Sequence, residues 1–282
     1  MIPAPFDYVR ARTIDEALDL VAGADPSIRV LAGGQSLIPA MKLRLARPAR
    51  LVDLGRLADL RGTDDADDGG LRVGALTTWA TLLADERVVR IGALADALPM
   101  IGDLQVRNMG TLGGSLAHAD PASDIAAPAL ALGFQAVVRS AARGERSIAM
   151  AELFAGPFAT SIAPDEILIS VGIPGAARSR ASAYSALPQL ASGYPIAGVA
   201  VSLGDAPNDC LIGVTGVGEQ PYRAIVVEAT IAGGAPFSDA AASVAIRQRV
   251  ATDIHADREY RAAMAVVMAR RAFATAEARR SD

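Results

Sequence analysis

The chain has 282 residues, 51% of them hydrophobic and 21% charged, which is ample apolar material for a buried core and favours two compact units over one. A formal net charge of −4 gives no broad basic field for nucleic acid or anionic lipid, so an anionic ligand has to be held by local donors. The single cysteine, Cys210, excludes an internal disulfide, an iron–sulfur cluster and a Cys-x-x-Cys zinc site, and His118 and His255 are too few for a His-rich metal centre, which leaves redox chemistry to an organic cofactor.

In chain order, Met1-Ile2-Pro3-Ala4-Pro5-Phe6-Asp7 has neither a basic n-region nor an apolar h-region. No apolar run approaches the roughly 18 residues of a spanning helix, so a cytoplasmic protein is expected. Thr13-Ile14-Asp15-Glu16 has capping-box spacing, with Ala17, Leu18 and Val21 as the apolar helical face and Gly23 as the stop. Ile28–Leu31 reads as a strand feeding the glycine pair in Ala32-Gly33-Gly34-Gln35-Ser36. A Pro-interrupted turn or short helix follows over Leu37–Arg44, then the strand Arg50–Asp53, a β–loop–β arrangement. Leu60–Gly74 is strand, acidic turn, strand. The run Asp64, Asp65, Asp67, Asp68 lacks calcium-loop spacing and reads as a solvated hairpin tip.

Thr78 caps a helix through Leu83, and a second helix covers Ile91–Leu98. Gln105–Asn108 leads into a second glycine loop, Thr111-Leu112-Gly113-Gly114-Ser115. Ser123 is placed as the cap of a helix over Asp124–Leu132, followed by strands Phe134–Arg139 and Ile167–Ile173, and a domain boundary at Pro174-Gly175. Beyond it, Ala181–Ala186, Ile196–Leu203 and Cys210–Val217 read as an antiparallel sheet, with Cys210 packed as a small hydrophobe. Helices are expected over Pro221–Ile231, Ser238–Val250 and Asp257–Glu277, the last with Tyr260, Met264, Val267 and Met268 on its core face.

Paired glycines let backbone N–H groups converge on one anion. Lys42, the chain's one lysine, stands between Met41 and Leu43, so neither glycine motif is a Walker loop; no Gly-x-Gly-x-x-Gly or Gly-x-Ser-x-Gly occurs at either. Ser115, His118 and Asp120 are numerically a hydrolase triad, but near neighbours in sequence seldom assemble one. What remains is a two-sided diphosphate cradle of backbone amides, with hydroxyls from Ser36, Thr111 and Ser115. Asp124 is then either a helix cap or an acceptor for a ligand's sugar or amide groups.

Ala32–Pro39 with Met41-Lys42-x-Arg44, and Val106-Arg107-Asn108-x-Gly110–Ser115 with Pro121-x-x-Asp124, resemble the FAD-binding medium subunit of the molybdenum hydroxylases, in the carbon monoxide, aldehyde and nicotine dehydrogenase branch. Pro221-x-Arg223-Ala224 and Glu259-Tyr260-Arg261…Arg270-Arg271-Ala272 extend the resemblance over the C-terminal part.

The resemblance implies an α+β fold. A two-lobed flavin domain of the vanillyl-alcohol-oxidase (PCMH) type would cover residues 1–175, with lobes of about 1–56 and 57–175. A smaller α+β domain would cover 176–282. It implies noncovalent FAD with its diphosphate between Ala32, Gly33, Gly34, Gln35, Ser36 and Thr111, Gly113, Gly114, Ser115. Asp124 falls at the ribityl or phosphate region, Leu168 near the adenine, Ile101 against the isoalloxazine, and Tyr194 near the ring from the C-terminal domain. Ser185 stands where the xanthine-oxidising branch has a lysine. The implied partners are a large molybdopterin subunit and a small [2Fe–2S] subunit, in a dimer of heterotrimers. Flavin would then join one-electron clusters to an external acceptor. No general base is assigned to this chain. A self-contained flavin oxidase and a nonenzymatic nucleotide-binding subunit are the alternatives.

Overall fold

Thr13 accepts a hydrogen bond from the Glu16 N–H at 3.1 Å, and Glu16 reaches back to the Arg12 N–H at 2.8 Å, a capping box displaced by one residue at its return bond. It opens α1 (Ile14–Val21), which buries Ala17, Leu18 and Val21 as its spacing predicts. The computed structural model describes residues 2–206, 208–246 and 248–281. Beside α1 lie three parallel strands, β1 (Asp7–Arg10), β2 (Ile28–Leu31) and β3 (Arg50–Asp53), in the order β1-β3-β2. The first glycine motif leaves β2 and runs into α2 (Leu37–Lys42), which carries the chain across to β3. The expected β–loop–β is thus a strand–loop–helix–strand unit, because parallel neighbours need a crossover. β1 was not legible, since its residues are largely exposed and carry no alternating apolar pattern.

The second lobe begins with the hairpin β4 (Thr63–Asp65) and β5 (Leu71–Gly74), then a run of short helices: α3 (Trp79–Ala84), α4 (Glu86–Val89), α5 (Gly92–Ala97), α6 (Leu104–Met109), α7 (Leu112–His118) and α8 (Ala126–Ala131). After these come β6 (Gln135–Ser140), β7 (Gly144–Ala149), α9 (Met150–Leu153), the small pair β8 (Phe154–Gly156) and β9 (Ala159–Thr160), and β10 (Glu166–Ile173). β10 is central to an antiparallel sheet of order β4-β5-β10-β6-β7. Two expectations change here. Thr111–Ser115 is not a loop: Thr111 is the N-cap of α7, accepting from the Gly114 N–H at 3.1 Å. Ser123 and Asp124 do not cap α8 either, which starts after Ile125 without a side-chain cap.

The C-terminal part comprises α10 (Gly175–Ser179) and the strands β11 (Ala181–Pro188), β12 (Pro195–Leu203), β13 (Cys210–Thr215) and β14 (Tyr222–Arg223), in sequential antiparallel order. The helices α11 (Ile225–Ala232), α12 (Phe237–Ala240) and α13 (Arg258–Ser281) follow. Cys210 is buried, and burial pushes its thiol pKa up to about 12. The helix expected from Pro221 starts only at Ile225, because Tyr222 and Arg223 pair with β13. The one expected over Ser238–Val250 ends in a short 3-10 turn, Ala241–Ser243; Val250 instead bridges Gly218, and Arg247 lies outside the described residues. On α13 the buried line is Arg261, Ala265, Met268, Ala272 and Ala276, at helical spacing, and Tyr260 is exposed.

The two parts share a core. All six residues of α8 are buried between the second lobe and the C-terminal sheet, and the sheet approaches so closely that the Ala127 carbonyl occupies the space a Cβ on Gly213 would need. Likewise β11 runs against α5, with the Ser182 carbonyl where a Gly92 Cβ would stand. Arg279 closes this seam with a two-pronged bond to Asp96 at 2.7 and 2.8 Å. Among the described residues no helix is long and apolar enough to cross a membrane.

Candidate functional site

The C-terminal ends of the parallel strands open onto a cleft of about 640 Å³, within the ~300–1,000 Å³ typical of cofactor sites. Ala32, Gly33, Gly34 and Gln35 form one side, with Thr111, Asn108 and Met109 across from them. Gly34 has φ +73, a conformation that glycine adopts without strain, and it turns the chain from β2 into α2. Among the described residues the backbone N–H groups of Gly33, Gly34, Gln35 and Ser36 donate to nothing within the chain. Four adjacent unpaired donors are an anion-binding nest. Arg10, Lys42, Arg56 and Arg61 line the same cleft, so in an acidic protein its charge is locally basic.

Asp53, 6% exposed at the end of β3, anchors that basic wall. Its Oδ2 accepts from the Tyr8 hydroxyl and from Arg10 Nε at 2.9 Å, and its Oδ1 from the Gly55 N–H at 2.7 Å. Burial pushes the carboxyl pKa up, but these donors together hold it below the ordinary value, so Asp53 stays ionised and keeps Arg10 in place. Tyr8, Arg10, Asp53, Arg56 and Arg61 were not singled out from the sequence. The useful signal was the strand-end position of Asp53, one residue before the chain leaves the sheet.

The second glycine motif behaves differently. The N–H groups of Leu112 to Ser115 are taken within the chain: Leu112 donates to the Thr77 carbonyl at 3.0 Å, Gly113 to the Ala75 carbonyl at 2.9 Å, Gly114 to Thr111 Oγ1 and Ser115 to the Thr111 carbonyl at 3.0 Å. Only Thr111 of this motif lines the cleft. The glycines serve close packing instead. A Cβ on Gly113 would stand 2.5 Å from Ala75 Cβ, and one on Gly114 would meet Thr111 Oγ1 at 2.7 Å and Ala32 Cβ at 3.4 Å. Gly33 meets the Met109 carbonyl in the same way, just ahead of the second motif. The fold therefore brings the two motifs together, 80 residues apart in sequence, with the donors on the first and the packing surface on the second.

The remaining residues lie off the cleft. Ser115 Oγ is 3.0 Å from Ser123 Oγ, and Ser36 precedes α2 without capping it. Ile101 is half-buried in a turn knitted by Arg107, whose Nη1 donates to the Ile101 carbonyl at 3.2 Å and the Gly102 carbonyl at 2.6 Å. Leu168 is buried in the core on β10, beside a bulge between Leu168 and Ser170. Asp124, 6% exposed, accepts from the Tyr184 hydroxyl at 2.8 Å. Burial raises the Asp124 pKa to about 7, against the partial opposition of that hydrogen bond. Tyr194 is close by: partial burial and the carboxylates of Asp120 and Asp124 all raise its phenol pKa. Ser185 faces the opposite side of β11, its hydroxyl 3.4 Å from Met268 Sδ.

A two-lobed α+β fold with a basic, amide-lined cleft is what the chain presents, and comparison with known proteins gives its class. Residues 4–176 match the model of the FAD binding domain in molybdopterin dehydrogenase, and residues 182–276 that of the CO dehydrogenase flavoprotein C-terminal domain. The chain belongs to the FAD-binding medium subunits of the molybdenum hydroxylases, an oxidoreductase family, and FAD is its cofactor. It is 36% identical to the carbon monoxide dehydrogenase medium chain of Afipia carboxidovorans over 99% of both chains. It is also 36% identical to the nicotine 6-hydroxylase medium subunit of Paenarthrobacter nicotinovorans, over 96% of this chain and 97% of that one. Among solved structures, carbon monoxide dehydrogenase from Hydrogenophaga pseudoflava superposes with a TM-score of 0.91 at 32% identity, covering 99% of each chain. The resemblance and the α+β architecture expected from the sequence hold.

Proposed function

We propose that the FAD diphosphate lies against the N–H groups of Gly33–Ser36, with Arg10, Lys42, Arg56 and Arg61 supplying positive charge around it. The observation that carries this is the run of four consecutive amides with no partner among the described residues, three of them, on Gly33, Gly34 and Gln35, at the wall of a cleft large enough for a nucleotide. Thr111 adds a hydroxyl from the facing motif. The other half of the cofactor runs toward the seam between the flavin domain, placed at 1–175, and the C-terminal domain, placed at 176–282. There Asp124 accepts hydrogen bonds from sugar-chain hydroxyls, and Tyr194 and Ile101 flank the ring; the adenine half, on the other side of the diphosphate, lies toward Leu168.

Bound FAD supplies an acceptor that takes electrons singly and releases them as a pair. The chain's residues bind and orient it and exclude water, and none acts as a general base. Electrons reach this subunit from [2Fe–2S] clusters of a small partner subunit, after substrate oxidation on a large molybdopterin subunit, in a cytoplasmic dimer of heterotrimers. Medium chains of several such dehydrogenases among the relatives support this arrangement.

The test is an absorbance spectrum of the purified chain followed by assays with and without partner subunits. One noncovalent FAD per chain, and substrate-dependent flavin reduction only with partners present, are expected. Turnover by the isolated chain would make it a self-contained oxidase. A colourless chain that takes up no FAD would leave a nonenzymatic nucleotide-binding subunit.

A further inference from the structure

The carboxyl of Asp124 is held almost entirely by the C-terminal domain, although it belongs to the flavin domain's sequence. Tyr184 on β11 reaches it with a 2.8 Å hydrogen bond. Tyr184 is itself fixed at both ends, since its backbone N–H donates to Asp96 Oδ2 at 3.0 Å. Gly198 on the neighbouring strand leaves the space its phenol tip occupies. The segment leading to Asp124 is tied down as well. Thr215 Oγ1 lies 2.9 Å from both the Pro121 and the Ser123 carbonyls, and the Gly216 N–H donates to Pro121 at 2.7 Å.

We propose that Tyr184 is a positioning residue: it reaches across the domain seam to hold the Asp124 carboxyl in one orientation, so that the C-terminal domain sets the proton occupancy of a cofactor-facing group. This rests on the reading that Asp124 accepts from the cofactor's hydroxyls.

The charges around the carboxyl make its ionisation adjustable. Asp120 shares its loop, and Tyr194 faces both carboxylates from the approach to β12. On α5, Asp96 is engaged by Arg279, and on β14, Arg223 is engaged by Glu228. Among the described residues no arginine or lysine pairs with Asp124. Its side-chain donor is a phenol that burial keeps protonated, so Tyr184 donates to the carboxylate as a neutral partner. Burial then places the carboxyl's titration at about pH 7. Hydroxyl donors on a ligand favour the carboxylate, so affinity should rise with pH as Asp124 loses its proton.

The test is FAD titration of the cofactor-free full chain, followed by flavin fluorescence at pH values on both sides of 7. Wild type should bind about tenfold more tightly on the alkaline side, the scale of one hydrogen bond to a charged acceptor. Tyr184→Phe should move the midpoint to higher pH, because the carboxylate loses a donor. Asp124→Asn should remove the step. A pH-independent wild type, an unmoved midpoint in Tyr184→Phe or a step surviving in Asp124→Asn would each overturn the proposal. Infrared spectroscopy of cofactor-free protein gives a second readout, the C=O band of a protonated carboxylic acid. Should the wild-type chain take up no FAD, the functional reading fails and this band alone decides the pairing. A band lost near neutrality in wild type, displaced in Tyr184→Phe and missing in Asp124→Asn supports it, and a carboxyl ionised throughout contradicts it.

Discussion

Ala32–Ser36 and Thr111–Ser115 look alike as strings, two glycines beside small polar residues, yet they do opposite work. The first follows a strand, turns at Gly34 with φ +73 and, among the described residues, leaves its amides unpaired beside a cleft. The second is the start of a helix, with its amides spent on Thr77, Ala75 and Thr111. Glycine offers two separate properties, freedom of φ and the absence of a Cβ, and each motif relies chiefly on a different one. On the reading proposed above, a ligand would be gripped by the first motif and braced by the second.

That division can be broken at its strongest point by Gly113→Val. Its Cβ would press on Ala75 Cβ at 2.5 Å in the buried start of α7, so the cofactor-free chain should lose about 3 kcal/mol or more in denaturant unfolding. Gly34→Ala should behave differently. The positive φ costs about 1–2 kcal/mol, while the moved amides should weaken FAD binding by a larger factor than the fall in stability, as read by fluorescence titration against a melting curve. Arg10→Gln sharpens the contrast further. It removes a cation from the cleft and a partner of Asp53 that is 45% exposed, so FAD affinity should fall about tenfold with stability nearly unchanged.

Two of the buried carboxylates, Asp53 and Asp124, separate by pH. Asp53 is held below its ordinary pKa, so it contributes stability above the unfolded value of about 4, and this is lost as pH falls through its folded pKa. Asp124 is raised to about 7, so the folded state binds the extra proton and stability declines as pH rises from about 4 to 7. Asp124→Asn should flatten that decline in cofactor-free melts, whereas Asp53→Asn should leave it. The smallest effect expected is from Thr111→Val, which removes the cap of α7 and about 1 kcal/mol.

Much of this was legible in the residues. The capping box at Thr13, the buried strand at Ile167–Ile173 and the antiparallel sheet of the C-terminal part all carry strong local patterns, and all form. The glycine motifs were legible as a pair, but not their division of labour. Whether an amide is free depends on which carbonyl the fold brings to it, and Ala75 and Thr77 come from a distant strand end. The helix expected over Ser238–Val250 failed for a related reason, since Val250 and Ala251 are drawn to Gly218 and Val217. Tyr8, Arg10 and Asp53 meet only because β1 and β3 pair in parallel, and no local spacing announces that. Tyr184 was hidden for the same reason, 60 residues from the carboxyl it holds.

The most direct measurement is a crystal structure of the chain with FAD bound. Diphosphate oxygens within hydrogen-bonding distance of the Gly33–Ser36 amides, and none on the amides of Leu112–Ser115, is the predicted result. A diphosphate seated on the second motif, or one away from both with the first motif's amides still unpaired, would contradict it.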